Sequence, residues 1–448
     1  MLKKITGKIN PEISKILYNV SWLSFDTIFR LGISLFVGVW FARYFGPVEF
    51  GIWSYVLAII AILSPLTNLG LEKIVVRDLV REPKKINQIL GSSFFLLVVS
   101  SLCTLIISII IIVSLKPSNM LALKLTIIIS SANIILAFNT VSYYFKAIVE
   151  SKHYVWSKNV SILIISITKV LFILSDLSLI AFAILNVVDA VIYSILIMYF
   201  FQKKNYSILD WKLDLYVAKR LLKNSWPLIL SGLVILIYMR IDQLIIGFLL
   251  GDKAVGLYSA AIKISELSYF IPMAIVSSFY PMLIKQKSES EIQYKNTLKK
   301  LYNFLALLGF VSSVILILFS NFIIIFLFGQ DYVESVNVLK IHLWINIFVY
   351  IGVASNSTFI LIENYLKTAL FISVVGAIVN IILNLILIPQ MGILGAALAT
   401  LIAQFISFII QPIFPYLRNN FMIQIKAIVF YDYFFKPIIT FASKNNSK

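Results

Sequence analysis

Apolar runs of about 20 residues follow one another along the whole chain, the length at which a helix crosses a bilayer's hydrocarbon core. Short joints rich in Gly, Pro, Asn and charge separate them: Gly46-Pro47, Lys116-Pro117-Ser118-Asn119, Gly251-Asp252, Gly329-Gln330-Asp331 and Pro389-Gln390-Met391-Gly392. The pattern predicts twelve membrane-spanning helices near residues 17–44, 48–69, 91–115, 120–145, 156–176, 178–201, 226–250, 255–283, 301–328, 336–361, 368–388 and 392–416. The basic stretch Gln202–Ser225 is the longest joint without a span of its own. It divides the chain into a six-helix lobe over 1–210, a second six-helix lobe over 211–420 and a tail over 421–448. Lys426, Asp432, Lys436 and Pro437 interrupt the tail's apolar run, which suits an interfacial helix on the cytoplasmic face better than a thirteenth span.

Composition fixes the class. Of 448 residues 60% are hydrophobic and 13% charged, with a mean hydropathy of +0.96, whereas a soluble protein carries about 25% charged residues. The expected class is an all-α polytopic membrane protein. The polar first ten residues and the long first apolar run do not suit a cleavable signal peptide. Cys103 is the single cysteine, so no intramolecular disulfide framework is expected, and His153 and His342 lack ligand-spaced partners, which argues against a metal site.

The net charge of +18 raises the question of nucleic acid, but the charges sit between apolar runs, where they set membrane orientation. Lys and Arg number 29 in the termini and even-numbered joints against 5 in the odd ones. That asymmetry places both termini in the cytoplasm. Six spans in each half make the halves parallel repeats, as in transporters with two lobes.

One short joint appears twice. Arg43-Tyr-Phe-Gly-Pro-Val-Glu-Phe-Gly-Ile-Trp-Ser54 returns, loosened, as Leu249-Leu-Gly-Asp-Lys-Ala-Val-Gly-Leu-Tyr-Ser259. Gly46 answers to Gly251, Gly51 to Gly256, Trp53 to Tyr258 and Ser54 to Ser259, 205 positions apart in each case. Glycines at this spacing suit a tight turn entering positive φ before the next helix, and its recurrence points to one helical unit used twice. Both turns are expected to face outward.

Four basic and four acidic residues lie inside the predicted spans away from their ends, where charge is costly and marks functional candidates. Asp26 and Arg30, four apart, share a helical face in span 1, and Arg240 and Asp242 lie past the middle of span 7 near Tyr238. Lys263 and Glu266, three apart, lie in span 8; Lys169 and Asp189 lie in spans 5 and 6. One reading makes Asp26–Arg30 and Lys263–Glu266 neutralising pairs between packed helices, with Lys169 paired to Asp189 across adjacent spans or snorkelling outward. The other puts Arg30, Arg240, Lys263 and Lys169 in a wet cavity that accepts an anion, since a guanidinium grips phosphate oxygens bidentately and keeps its charge. Asn346, Asn356, Asn380 and Asn384 read as interhelical hydrogen-bonding residues, and Pro272 as a kink in span 8.

The outer joints are short and nearly uncharged, and no HExxH, Gly-x-Ser-x-Gly or Walker-type loop occurs. The chain therefore reads as a carrier rather than an enzyme, with no cofactor beyond a coupling ion such as H+ or Na+.

Arg43-Tyr-Phe-Gly-Pro-x-Glu-Phe-Gly51 resembles the segment after the first span of polysaccharide-repeat-unit flippases of the Wzx or RfbX type, with Phe45 where Leu is usual. That family belongs to the multidrug/oligosaccharidyl-lipid/polysaccharide (MOP) exporter superfamily. Asn68-Leu-Gly-Leu-Glu-Lys-Ile-Val-Val-Arg77, Tyr238-Met-Arg-Ile-Asp242 with Leu250–Ala261, and Gly392-Ile-Leu-Gly-Ala-Ala397 resemble further blocks of the family in order and spacing. The resemblance implies a MATE-like, V-shaped pair of lobes in a bacterial cytoplasmic (inner) membrane. It implies flipping of undecaprenyl-diphosphate-linked oligosaccharide to the outer leaflet, for O-antigen, capsule or exopolysaccharide synthesis. Arg30 and Arg240 become anion contacts, with Lys169 and Lys263 beside them; Asp26, Asp242, Glu266 and Asp189 become coupling-ion or counter-charge residues. Implied partners are the lipid-linked substrate, membrane lipid, a polysaccharide polymerase and chain-length machinery, and no nucleic acid. A multidrug or cation exporter of the same superfamily and a lipid II flippase stay open as alternatives.

Overall fold

The computed structural model describes residues 11–430 except 359–361 and 364, and no side chain among 11–29 or at 31 and 34. Among the described residues every regular element is helical. The predicted Asp26 and the tail beyond residue 430 thus fall, as side chains, outside what is described.

The first unit, through Leu236, begins with α1 (Pro11–Asn68) and α2 (Leu71–Arg81). It continues through α3 (Ile86–Leu115), α4 (Met120–Ile135), α5 (Thr140–Ala147), α6 (Lys152–Leu174) and α7 (Leu179–Gln202). α8 (Leu215–Leu249) starts in this unit and ends in the second. The second unit adds α9 (Asp252–Leu267), α10 (Phe270–Glu289), α11 (Glu291–Leu318), α12 (Ser320–Phe328) and α13 (Ser335–Leu343). It closes with α14 (Ile345–Ser357), α15 (Leu366–Met391), α16 (Ile393–Ile409) and α17 (Arg418–Ile428). Among the described residues ten helical segments are long and apolar enough to cross a membrane, and the α13–α14 pair, bent by 44°, makes an eleventh. The first of the twelve expected spans lies mostly in the stretch of α1 whose side chains are not described.

Glycine writes the sharp turns. Gly46 interrupts α1 at φ 67 and ψ 176, a region open essentially to glycine alone. Gly251 repeats that conformation before α9 at φ 88 and ψ −176. The residue after each suits a helix start: Pro47 has no N–H to leave unpaired, and Asp252 sets a negative charge on the first turn of α9. Gly51 and Gly256, expected to share the turn, instead lie buried inside the helices that follow.

Breaks within spans have local causes. Pro272 lacks the N–H that would reach the Ser268 carbonyl four residues back, and the chain breaks between α9 and α10 just before it. The freed Ser268 carbonyl accepts from the Tyr350 hydroxyl at 3.0 Å, deep in the second unit. At the α13–α14 bend, Ser313 donates to the Leu343 carbonyl at 2.7 Å in the same way.

The expected lobe boundary at 210/211 is displaced to 236/237. The first turns of α8 are fastened to the first unit at close range: a Cβ on Gly70 would stand 2.8 Å from the Leu228 side chain, and one on Gly232 3.0 Å from Pro65. Arg220 of α8 adds ion pairs to Glu82 at 2.5 Å and Asp78 at 3.4 Å. Each unit has a hydrophobic cluster at the end that carries basic joints. In the first, Leu71, Val75, Ile89, Phe145, Ile197 and Phe201 pack together; in the second, Leu298, Leu301, Tyr302, Leu305, Tyr350 and Ile351. Ala427 of α17 joins that second core, so the start of the tail is packed against α11. Elsewhere large apolar side chains such as Phe36, Leu174, Phe322 and Phe326 stand exposed, a surface suited to lipid.

Candidate functional site

In the second unit the turn at Gly251 folds α8 and α9 into a hairpin, so residues on its two arms meet. Arg240 donates to Glu266, 26 positions on, at 3.0 Å. Asp242 accepts from the Tyr258 hydroxyl and from the Gln243 backbone N–H, the latter at 2.8 Å. Gln243 in turn donates to the Ser259 hydroxyl at 3.0 Å. A third helix closes the group: His342 of α13 shares a hydrogen bond with Ser265 of α9 at 3.0 Å. Asp242, Gln243, Tyr258, Ser265 and His342 are all buried, while the Arg240 and Glu266 side chains keep 25% of their surface exposed. Burying this many polar groups is tolerable because each is hydrogen-bonded.

The exposure of Arg240 matters chemically. A guanidinium carries five N–H donors in a planar fork, and the bond to Glu266 uses one nitrogen. The remaining donors can engage a phosphate or carboxylate while Glu266 holds the side chain in place. Near it, Tyr238 donates to Gln404 of α16 at 2.5 Å.

Two expected pairings are corrected by the structure. Glu266 takes Arg240 from the facing helix rather than Lys263 from its own, because the hairpin brings the longer, forked side chain onto the carboxylate. Asp189 accepts from Ser161 and from Lys158 at 3.5 Å, both on α6, rather than from Lys169. Lys158, at the edge of the predicted span 156–176, lies on the second turn of α6. Lys169, farther along the same helix, is half-buried and forms no ion pair among the described residues. Arg30 and Lys263 are half-buried on α1 and α9. Asn380 donates to Thr400 across α15 and α16 at 3.2 Å, as expected of an interhelical polar residue, whereas Asn384 donates back to Asn380 within α15. Asn346 departs from that expectation: its amide is fully buried without a hydrogen-bond partner among the described residues. Asn356 is exposed.

Tyr258 and His342 were not among the expected site residues. The signal for Tyr258 was present, since it stands seven residues after Gly251 and Asp242 nine before it, on the two arms of one hairpin. His342 gave none, because its partner lies on a helix distant in sequence.

The profile of the polysaccharide biosynthesis protein family matches residues 16–287, more than half of the chain. The chain belongs to that family. The matched region holds Arg30, Lys169, Asp189, Arg240, Asp242, Lys263 and Glu266. The capsular polysaccharide biosynthesis protein CapF of Staphylococcus aureus is 25% identical over 280 residues, covering 59% of this chain and 70% of that protein. The probable low-salt glycan biosynthesis flippase Agl15 of Haloferax volcanii is 26% identical over 199 residues, covering 41% and 39%. In fold, the chain is similar to lipid II flippase MurJ in an inward closed conformation, with TM-score 0.72, 20% identity and coverage of 91% and 90%. A multidrug resistance MATE family transporter of the MOP superfamily, inward-facing, gives TM-score 0.75, 15% identity and coverage of 91% and 99%. The expected all-helical MATE-like fold is the one this family member has.

Proposed function

We propose that the protein flips undecaprenyl-diphosphate-linked oligosaccharide units from the cytoplasmic to the outer leaflet of a bacterial cytoplasmic membrane, for assembly of a surface polysaccharide. Family membership supports the process, and Arg240 carries the chemistry: an arginine at membrane depth, a quarter exposed and with donors to spare. The lobes rock between inward and outward access while the polyprenyl tail stays in lipid. Arg240, with Arg30, Lys263 and Lys169 as further cationic contacts, offsets the cost of dehydrating the diphosphate. Asp242 and Glu266 act as counter-charges or as the sites at which a coupling cation exchanges, with Asp26 and Asp189 in the same role in the first unit. The polymerase and chain-length machinery take over the flipped unit.

Deletion of the gene is expected to abolish surface polysaccharide and accumulate lipid-linked repeat units. Arg240→Ala should fail to complement the deletion, and Arg240→Lys should complement in part. Loss of drug resistance on deletion, without accumulation of lipid-linked sugar, would sink the reading in favour of a cation exporter.

A further inference from the structure

The first unit contains a cavity of about 230 Å³ that the charge network of the second unit has no part in. Helices α1, α3, α4, α5, α6 and α7 wall it, at the end of the unit that carries the basic joints. Its lining is polar in an unusual way. The side-chain amides of Asn68 and Asn133 and the hydroxyl of Tyr143 make no hydrogen bond within the protein among the described residues. Asn68 is exposed and Asn133 half-buried, so their amides, with the hydroxyl of the buried Tyr143, are open to whatever enters the cavity. Asn139 accepts from the Tyr193 hydroxyl at 2.6 Å, which orients its amide and leaves the NH2 group to donate.

The charge of the cavity narrows what that occupant is. Lys158 is its one cationic lining group, lying 5.2 Å from the Tyr193 ring and 3.5 Å from the Asp189 carboxylate. The Lys158 ammonium, turned to Asp189 and the Tyr193 ring, lacks the planar fork with which Arg240 can hold a carboxylate and still offer donors, so it is a poor seat for a diphosphate. Amides and phenol hydroxyls suit adjacent alcohol groups, to which an amide can donate and accept at once, and the tyrosine ring faces suit the C–H face of a pyranose. The volume equals that of about eight waters, room for one sugar ring and not for an oligosaccharide. Asn68 is exposed and gives the cavity a mouth.

We propose that this cavity is a neutral monosaccharide subsite, in which Asn68, Asn133, Asn139 and Tyr143 read the hydroxyl pattern of one sugar of the lipid-linked substrate. The assignment rests on the flippase reading and adds to it a place where sugar identity is sensed, apart from the cationic residues. Purified full-length protein in lipid nanodiscs is titrated with undecaprenyl diphosphate and with the same lipid bearing one glucose, galactose or N-acetylglucosamine. At least one sugar-bearing lipid should bind about tenfold tighter than the bare diphosphate. Asn133→Leu, which fills the cavity and removes an amide, should collapse that preference to within about twofold and leave bare-lipid affinity unchanged. Asn68→Leu, at the exposed mouth, repeats the test without touching the packed interior and should lower the preference in the same direction. A wild-type protein that binds the bare lipid and gains nothing from any sugar overturns the subsite alone, as does a preference that survives both variants. Failure of every lipid to bind, the bare diphosphate included, overturns the flippase reading itself.

Discussion

In the hairpin that turns at Gly46, aromatic rings interlock: Phe41 lies 4.9 Å from Trp53 and 5.4 Å from Phe182, and Phe45 lies 5.1 Å from Phe182. In the hairpin that turns at Gly251 the same helix-to-helix seam is joined by Asp242–Tyr258, Gln243–Ser259 and Arg240–Glu266. The backbones agree, with both glycines at positive φ and ψ near 180°. The 205-residue offset maps Arg240, Asp242, Tyr258 and Glu266 onto Leu35, Val37, Trp53 and Ala61. One turn therefore serves two kinds of seam. Ring packing fills space and tolerates small slips, whereas hydrogen bonds between buried polar groups are satisfied in one register only. The difference sets a partly exposed pair of charges in the second hairpin and leaves the first as a packed brace.

The largest effect should come from removing the brace. Trp53 is buried against Phe41, and Trp53→Ala should lower stability by about 3–5 kcal/mol, read as a fall in the unfolding temperature of detergent-purified protein. Tyr258→Phe should cost less, about 2–3 kcal/mol, because it leaves the Asp242 carboxylate short of a donor without opening a void. In the double variant with Asp242→Asn that cost should shrink, since a neutral amide is cheaper to leave underbonded. Additive losses in that cycle would mean that the two side chains do not act as a unit.

A third pair of variants tests whether the turns are equivalent. Gly46→Ala and Gly251→Ala each force a methyl-bearing residue into a glycine-only region, with open space around both positions. The cost should be pure backbone strain, about 1–2 kcal/mol at either site. Unequal losses would show that packing, rather than the turn, decides one of the hairpins.

How far the sequence foretold this depends on the range of each interaction. The spans were legible because bilayer thickness dictates apolar runs, and the turns because only glycine reaches their conformation. Pro272 announced its break, whereas the α13–α14 bend at Trp344 carries no such residue. The ion pairs were misread in a consistent way. Counting along one helix offers Lys263 to Glu266, but the real partner comes from the facing helix, 26 positions away. Asp189 likewise finds Lys158, 31 positions away, because α6 and α7 run side by side. Partners this distant become visible only once the helices are placed. The open amides of Asn68 and Asn133 are legible in no pattern at all, since nothing in a sequence distinguishes a paired asparagine from an unpaired one.

The smallest predicted effect sharpens the contrast between the units by access to salt. The first unit holds α8 through Arg220, bonded to Glu82 and Asp78 in the joint between spans, where water and salt reach. The ammonium of Lys85, reinforced by Arg220, holds the Glu82 carboxyl below its ordinary range. A carboxylate favoured in this way contributes stability above its unfolded pKa of about 4.3, and that contribution fades as pH falls through the lower folded value. The unfolding temperature should accordingly hold steady from about pH 7 to pH 5 and then decline on acidification, with Glu82→Gln flattening part of the decline. High salt should weaken the same clamp, because exposed pairs are screened. Arg240–Glu266 is as exposed as the Arg220–Glu82 pair but lies within the predicted spans rather than in a joint, so it should respond less to salt, and Glu266→Gln should shift the unfolding temperature by a similar amount at low and high ionic strength. A salt response as large as that of the Glu82 variant would mean that a place within the spans does not shield the second hairpin's pair.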